Sequence, residues 1–228
     1  MQMPLKIISI ILFSITMFLY SCNKEKTDVD EGVIKYKITY LEDESTNPVI
    51  SIMPKSLIMR FKDNSVIMEV EGWLGIFKSS FIKNRNDSQA VTLLKMLNKK
   101  YCYCGQGKDG YIGFDAYNNI KIIHDDSTKN ILGFNCKHAK AVLSDKNIEF
   151  DIYYTDKIKI KNPNKFTPYQ NIQGVLMDFQ IEMNGLPMHL TATEFKPVNV
   201  DDKIFKVPEG YKNVERQEID KIFSSIEK

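Results

Sequence analysis

Apolar and polar residues alternate along much of this chain. Ile34, Tyr36, Ile38 and Tyr40 are interleaved with Lys35, Lys37 and Thr39, which predicts a half-buried strand of period two. Leu57, Met59 and Phe61 alternate with Ile58, Arg60 and Lys62. After a turn at Asp63-Asn64, Val66, Met68 and Val70 alternate with Glu69 and Glu71, so the two runs predict a hairpin. Trp73 closes it, either as a core plug at the sheet edge or at a ligand mouth. A further strand is expected from Phe77 to Asn84. Val91 to Leu97 fits a strand running into a turn, against a short helix capped by Asp87 or Ser88.

The second half continues the pattern. A short strand is expected over Asn119–His124, with a turn at Asp125–Lys129. The next strand, Cys136–Leu143, should place Ala139, Ala141 and Leu143 on one face and Cys136, His138 and Lys140 on the other. Ser144–Asn147 turns it back into Ile148, Phe150, Ile152 and Tyr154, and a proline-punctuated loop follows from Asp156 to Gln170. Asn184-Gly185 is the preferred pair for a two-residue hairpin turn. Its register predicts Met183 opposite Leu186, Ile181 opposite Met188, Phe179 opposite Leu190, and Met177 opposite Ala192, all on one apolar face. Ile204, Phe205 and Val207 read as a last short strand. Ile219, Ile222, Phe223 and Ile226 recur at helical spacing, so the chain should end in an amphipathic helix packed on the sheet. The sum is a mainly β protein whose antiparallel sheet has one covered face.

The N-terminus changes the picture of where this sheet works. Lys6 precedes a 14-residue apolar run, Ile7 to Tyr20, shorter than a membrane-spanning helix requires. It ends in Leu19-Tyr20-Ser21-Cys22, which resembles the lipobox of bacterial lipoproteins. The resemblance implies cleavage after residue 21 and acyl chains on Cys22, an anchor that is effectively permanent. Polar residues up to Glu31 then read as a flexible tether, and residues 32–228 as a single β-rich domain. The acids in the tether are scattered, which points to the periplasmic face of the outer membrane rather than to surface export. Cleavage leaves 207 residues, enough for one well-buried core. The near balance of 31 basic and 29 acidic residues argues against a nucleic-acid partner. Oligomeric state is not legible.

Candidate chemistry is sparse. The apolar faces are rich in methionine and aromatic rings, and Met59, Met68, Trp73, Met177, Phe179 and Met188 are the candidates for lining a hydrophobic or lipid ligand site. Filling a core is the commoner use of such residues. Cys102, Cys104 and Cys136 remain after Cys22 is used, so at most one bridge can form, and spacing does not choose its partner. If their strands were neighbours, these three thiols and His138 would make a soft-metal or redox site, which is the alternative function. Gly105, Gly107 and Gly110 spell a dinucleotide-type fingerprint, but Tyr-Ile-Gly-Phe follows instead of a helix, so a loop is expected. No hydrolase motif appears, and a diagonal His189–Asp178 pair lacks a nucleophile. No catalysis and no cofactor are expected.

Several motifs in order resemble one family. They are Gly32-Val33-Ile34-Lys35-Tyr36, then Ile131–Ala139 (ILGFNCKHA) and Phe150–Asp156 (FDIYYTD). Val200-Asp201-Asp202 and Phe205–Lys212 (FKVPEGYK) follow. The chain is similar to Bacteroidota lipoproteins of the domain-of-unknown-function 4412 family and its GLPGLI relatives, although Gly174-Val175-Leu176-Met177 departs from the signature of the latter. The resemblance implies an open antiparallel half-barrel curled around a helix, in the outline of the lipoprotein carriers LolA and LolB. No activity comes with it.

Overall fold

The computed structural model describes residues 28–226 apart from 73, 74, 87, 106–108 and 118, and apart from the side chains of 224–226. Cys22, the apolar leader, most of the tether and Trp73 therefore lie outside the described residues.

The strands are β1 Glu31–Tyr40, β2 Ser56–Lys62, β3 Ser65–Gly72, β4 Phe77–Lys83, β5 Ala90–Met96 and β6 Lys99–Gly105. They continue as β7 Lys121–Ile131, β8 Phe134–Leu143, β9 Ile148–Thr155, β10 Val175–Met183, β11 Leu186–Lys196 and β12 Lys212–Asn213. A helix, α1 Arg216–Ile226, ends the chain. All twelve strands form one open sheet in the order β12-β6-β5-β4-β3-β2-β1-β11-β10-β9-β8-β7. Every pairing is antiparallel except β12 with β6. The first strand is thus central: β2–β6 meander away from one side of it, and β7–β11 meander back to the other. This is the mainly β, unclosed antiparallel half-barrel with a C-terminal helix that was expected.

Turn chemistry sets the registers. Asp63 and Asn64 both take positive φ, 47° and 72°, which suits a tight hairpin of twisted strands. Asn184 and Gly185 do the same at 50° and 75°. The β10–β11 ladder pairs Met183 with Leu186, Ile181 with Met188 and Phe179 with Leu190, as their spacing predicts. Met177 and Ala192 are both buried but fall outside this ladder, because irregularities displace β10 against β9 and β11 against β1 there.

Three local readings are corrected. Asp125–Lys129 is not a turn but part of β7, whose register against β8 slips between His124 and Thr128. The turn lies later, at Leu132-Gly133, with φ of 55° and 83°. Opposite the slip the alternation of β8 is interrupted, so Cys136 joins Ala139, Ala141 and Leu143 in the same core. Residues 202–205 form a 3-10 turn instead of a strand. Asp201 accepts a hydrogen bond from the Lys203 N–H at 2.9 Å, a local bond that competes with extended pairing.

The inner face of the sheet carries the main core, with Ile34, Phe61, Phe81, Phe134, Ile152 and Met177 almost wholly buried. Two loops occupy the hollow. Tyr111, Phe114 and Tyr117 come from the first, Phe166, Tyr169 and Ile172 from the second. The Tyr111 N–H donates to Phe166 O at 3.1 Å, joining the loops to each other. Asn164 pins the second loop by donating to Ile172 O and Gly174 O, both at 2.9 Å. Helix α1 covers only one wing, where Ile219 and Phe223 meet Leu94, Tyr103 and Ile112. The hollow of this half-barrel is therefore filled chiefly by loops, with the helix to one side. On the outer face, Val200 and Phe205 of the segment before β12 lie over Ile67, Ile82, Val91, Leu93 and Cys102.

Candidate functional site

An apolar cavity of about 310 Å³ opens where β1 ends. That is the lower range for sites that take small molecules. Ile38 and Tyr40 of β1, Val70 of β3, Met183 of β10 and Met188 of β11 form its walls. Each reaches the inner face through the period-two pattern of its strand. Phe77 and Phe223 close one side, and their rings meet edge to face at 6.4 Å.

The cover comes from the β1–β2 connection. Pro48–Ile52 form a 3-10 turn, and Val49, Ile52, Met53 and Pro54 face the cavity. The Tyr40 hydroxyl donates to Pro54 O at 2.8 Å, which ties the cover to the end of β1. Burial pushes the Tyr40 hydroxyl well above the ordinary phenol range, so it stays a donor. Lys55 Nζ lies 5.5 Å from the centre of the Tyr40 ring and donates to Glu44 Oε1 at 2.9 Å and Ile50 O at 3.1 Å. Gly72 lets the cover approach: a Cβ there would lie 2.9 Å from two carbons of Pro54. On the far side, the Asn184 N–H donates to Gly113 O at 2.9 Å, and a Cβ on Gly113 would collide with the Asn184 side chain at 2.3 Å. Gly113 has φ +87°, so the first loop meets the β10–β11 turn only with glycine there.

The predicted ligand residues divide. Met59, Met68, Phe179 and Met188 come together on the inner face, but around a residual void of only about 50 Å³. Phe114, Pro163, Thr167 and Tyr169 plug this region, and Tyr36 and Tyr169 each set a ring edge against Phe179, at 6.1 and 5.8 Å. The Tyr36 hydroxyl donates to Leu176 O at 2.8 Å, and that of Tyr169 to Gln180 O. Met177 is fully buried and lines neither space. Among the described candidates only Met188 faces the larger cavity. Sequence reasoning missed Tyr40, Ile76 and Phe223, and did not single out Met53 among the methionines. A usable signal was the run Val49-Ile50-Ser51-Ile52-Met53, unusually apolar for a connection between strands.

The four candidate metal or redox residues do not come together. Cys102 and Cys104 sit on β6 and Cys136 on β8, with eight strands between them in the sheet. Cys102 belongs to the outer cluster under Val200 and Phe205, Cys136 to the inner core. All three are free thiols. Desolvation pushes both Cys102 and Cys136 up to about 12, a range in which a thiol is not a ready nucleophile. The Sγ atoms of Cys102 and Cys104 are 3.6 Å apart. Among the described residues no group of three or more His, Cys, Asp or Glu side chains converges as a metal site would.

Two histidines meet carboxylates on the other wing, while His124 Nδ1 lies 3.1 Å from the Tyr154 hydroxyl. His138 Nδ1 lies 2.6 Å from Asp125 Oδ2 and its Nε2 3.0 Å from Asp151 Oδ1, so the ring ties β7 to β9 across β8. Burial alone would lower the His138 pKa, but the two carboxylates outweigh it and raise it. His189 does meet Asp178, at Oδ1, and Lys129 takes Oδ2 at 3.1 Å. Both oxygens of Asp178 are thereby engaged in pairing.

No protein-family profile matches the chain, and no curated protein matches it. Among the described residues no helix is long and apolar enough to cross a membrane. Solved structures do show the fold elsewhere. The chain is similar to PNGF-II in its P21 crystal form, with a TM-score of 0.55 and 12% identity, over 87% of this chain and 34% of that one. In the C2 form of PNGF-II the TM-score is 0.53 and the identity 14%, over 87% and 33%. This chain thus spans about a third of the length of that protein, and what the two are shown to share is the open-sheet fold.

Proposed function

We propose that this protein is a lipid-anchored, non-catalytic protein of the outer membrane's periplasmic face, related to the domain-of-unknown-function 4412 and GLPGLI lipoproteins. Its role is to hold a hydrophobic ligand in the cavity at the Tyr40 end. The anchor rests on the short apolar run that stops at Ser21-Cys22. The binding function rests on one observation: about 310 Å³ of space is lined by methionine, proline and aromatic carbon, whereas other spaces of about 310 and 330 Å³ among the described residues are more open and edged by charged and amide side chains. Interiors normally reach crystal-like density, so a large apolar space at an accessible end is an exception with a use. Its size suits a single acyl chain or a small ring system, not a whole lipoprotein anchor.

Titration of the full chain with the environment-sensitive probe N-phenyl-1-naphthylamine tests the cavity. Saturable fluorescence enhancement whose affinity falls about tenfold in Met53→Trp is the expected result. Unsaturable enhancement, or enhancement equal in the variant, rejects the cavity as a binding site. The anchor is tested separately: Cys22→Ser should leave the chain uncleaved and without acyl groups by intact mass.

A further inference from the structure

The polypeptide enters the fold at one end and the cavity opens at the other. Val29 bridges to Ile158 in parallel fashion, donating to Lys157 O at 2.9 Å and accepting from Lys159 N at 2.6 Å. From there β1 runs from Glu31 to Tyr40, where the cavity begins. Ten strand residues at about 3.3 Å each put roughly 30 Å between the two ends.

This inference rests on the lipid-anchor reading above. Seven residue steps separate Cys22 from Val29. Fully stretched they span about 25 Å, whatever their conformation. As a flexible chain they cover about 15 Å on average. A molecule with its cavity against the anchoring bilayer would need the tether to climb the whole length of β1. The tether is too short to do so.

A second observation marks the same end as the lower one. Lys157, Lys159 and Lys161 alternate with Ile158 and Ile160, which are buried, so the lysines lie on the surface side where the tether arrives, Lys159 and Lys161 exposed and Lys157 half-buried. Lys159 reaches Asp28 Oδ1 at 3.0 Å, on the tether itself. Ammonium groups so placed are attracted by anionic lipid headgroups within a Debye length of the bilayer.

We propose that the protein stands on this end, with Lys157, Lys159 and Lys161 against anionic phospholipid headgroups and the cavity facing away from the bilayer that holds the anchor. The apolar guest then arrives from the aqueous side, as a dispersed amphiphile or one handed over by a carrier. It is not drawn sideways from the anchoring leaflet. The apolar rim agrees: Leu41, Ile52 and Leu97 are 47%, 39% and 62% exposed at the far end, where a guest or its carrier would meet them.

The test uses the lipidated full chain in vesicles of brominated phosphatidylcholine and phosphatidylglycerol, in a Trp73→Phe background. Gln173→Trp reports the tether end and Ile52→Trp the rim. Quenching by the brominated chains should be at least about twofold stronger at Gln173→Trp. Equal quenching at the two sites, stronger quenching at Ile52→Trp, or none at either overturns the proposal. Adding Lys157→Glu and Lys161→Glu should weaken the quenching of Gln173→Trp while the acylated chain still floats with the vesicles. Unchanged quenching rejects the headgroup contact. Chain that fails to float removes the anchor and this orientation together, whereas floating chain with a quenched rim removes the orientation alone.

Discussion

The middle and the open end of the half-barrel are lined by the same kinds of side chain and have opposite fates. Met59, Met68 and Phe179 in the middle leave about 50 Å³, while Met53, Met183 and Phe77 at the end leave about 310 Å³. The difference lies in what the connections do. Tyr111 and Phe114 from one loop insert against Phe81, Tyr169 from the other sets an edge on Phe179, and Phe166 packs on Tyr111. At the end, the 48–54 connection arches over the space without sending a large ring into it. A methionine-rich sheet face is therefore neutral between core and cavity, and the loops decide.

Tyr169→Ala should have the largest effect on this contrast. It removes a fully buried ring and its bond to Gln180 O, and should cost about 3–5 kcal/mol. Chemical denaturation measures it; a cost below about 1 kcal/mol means the middle is loose and the contrast false. Next comes the buried thiol of Cys136, pushed up to about 12 by desolvation. At pH 7.5 its alkylation should be roughly a hundredfold slower than that of a Met53→Cys thiol at the cavity. Mass spectrometry of a time course reads both rates, and similar rates mean the interior opens as readily as the end. Met53→Trp, placed in open space, should weaken probe binding about tenfold, some 1.4 kcal/mol. It should change stability by less than that, whereas in a packed site overpacking costs more. The smallest effect is a control on the outer face that should leave both spaces alone. His138→Gln removes the links to Asp125 and Asp151 and should cost about 1 kcal/mol.

That last cost has a signed pH dependence. The His138 pKa is raised in the folded protein, so the contribution is complete below about pH 6.5 and disappears as pH rises through the higher folded value. Asp125 is held at about 2, first by Ser127 and then by His138, so its contribution is complete above about pH 4 and fades as pH falls through that value. The gap between the parent and His138→Gln should be widest near pH 5 and narrow as pH rises beyond about 6.5. A gap that widens toward pH 8 contradicts the ion-pair assignment.

What the sequence made legible was local. Asn184-Gly185 dictates its turn, and the turn dictates six cross-strand pairs from Asp178–Thr191 to Met183–Leu186. The Asp125–Lys129 segment has turn composition yet lies in a strand, because its slip is set by neighbours: His138 holds Asp125 from the next strand. The turn at Leu132-Gly133 was invisible because leucine rarely accepts positive φ. Strand order was equally hidden. Cys102 and Cys136 look like partners along the chain, and only the return of β7–β11 to the far side of β1 separates them. The site suffered for the same reason: which apolar wall faces a void depends on where the 109–117 and 156–174 loops fold, and a loop's destination leaves no periodic trace.

The interruption in β7 has a consequence for crowding. This is the outermost strand on its side, and the opposite border, β12, is two residues long. An incoming chain that tried to extend the sheet at β7 would lose register after His124, and at β12 it would find almost no ladder to copy. Copies of the chain brought close together thus find little at either border to template a shared sheet.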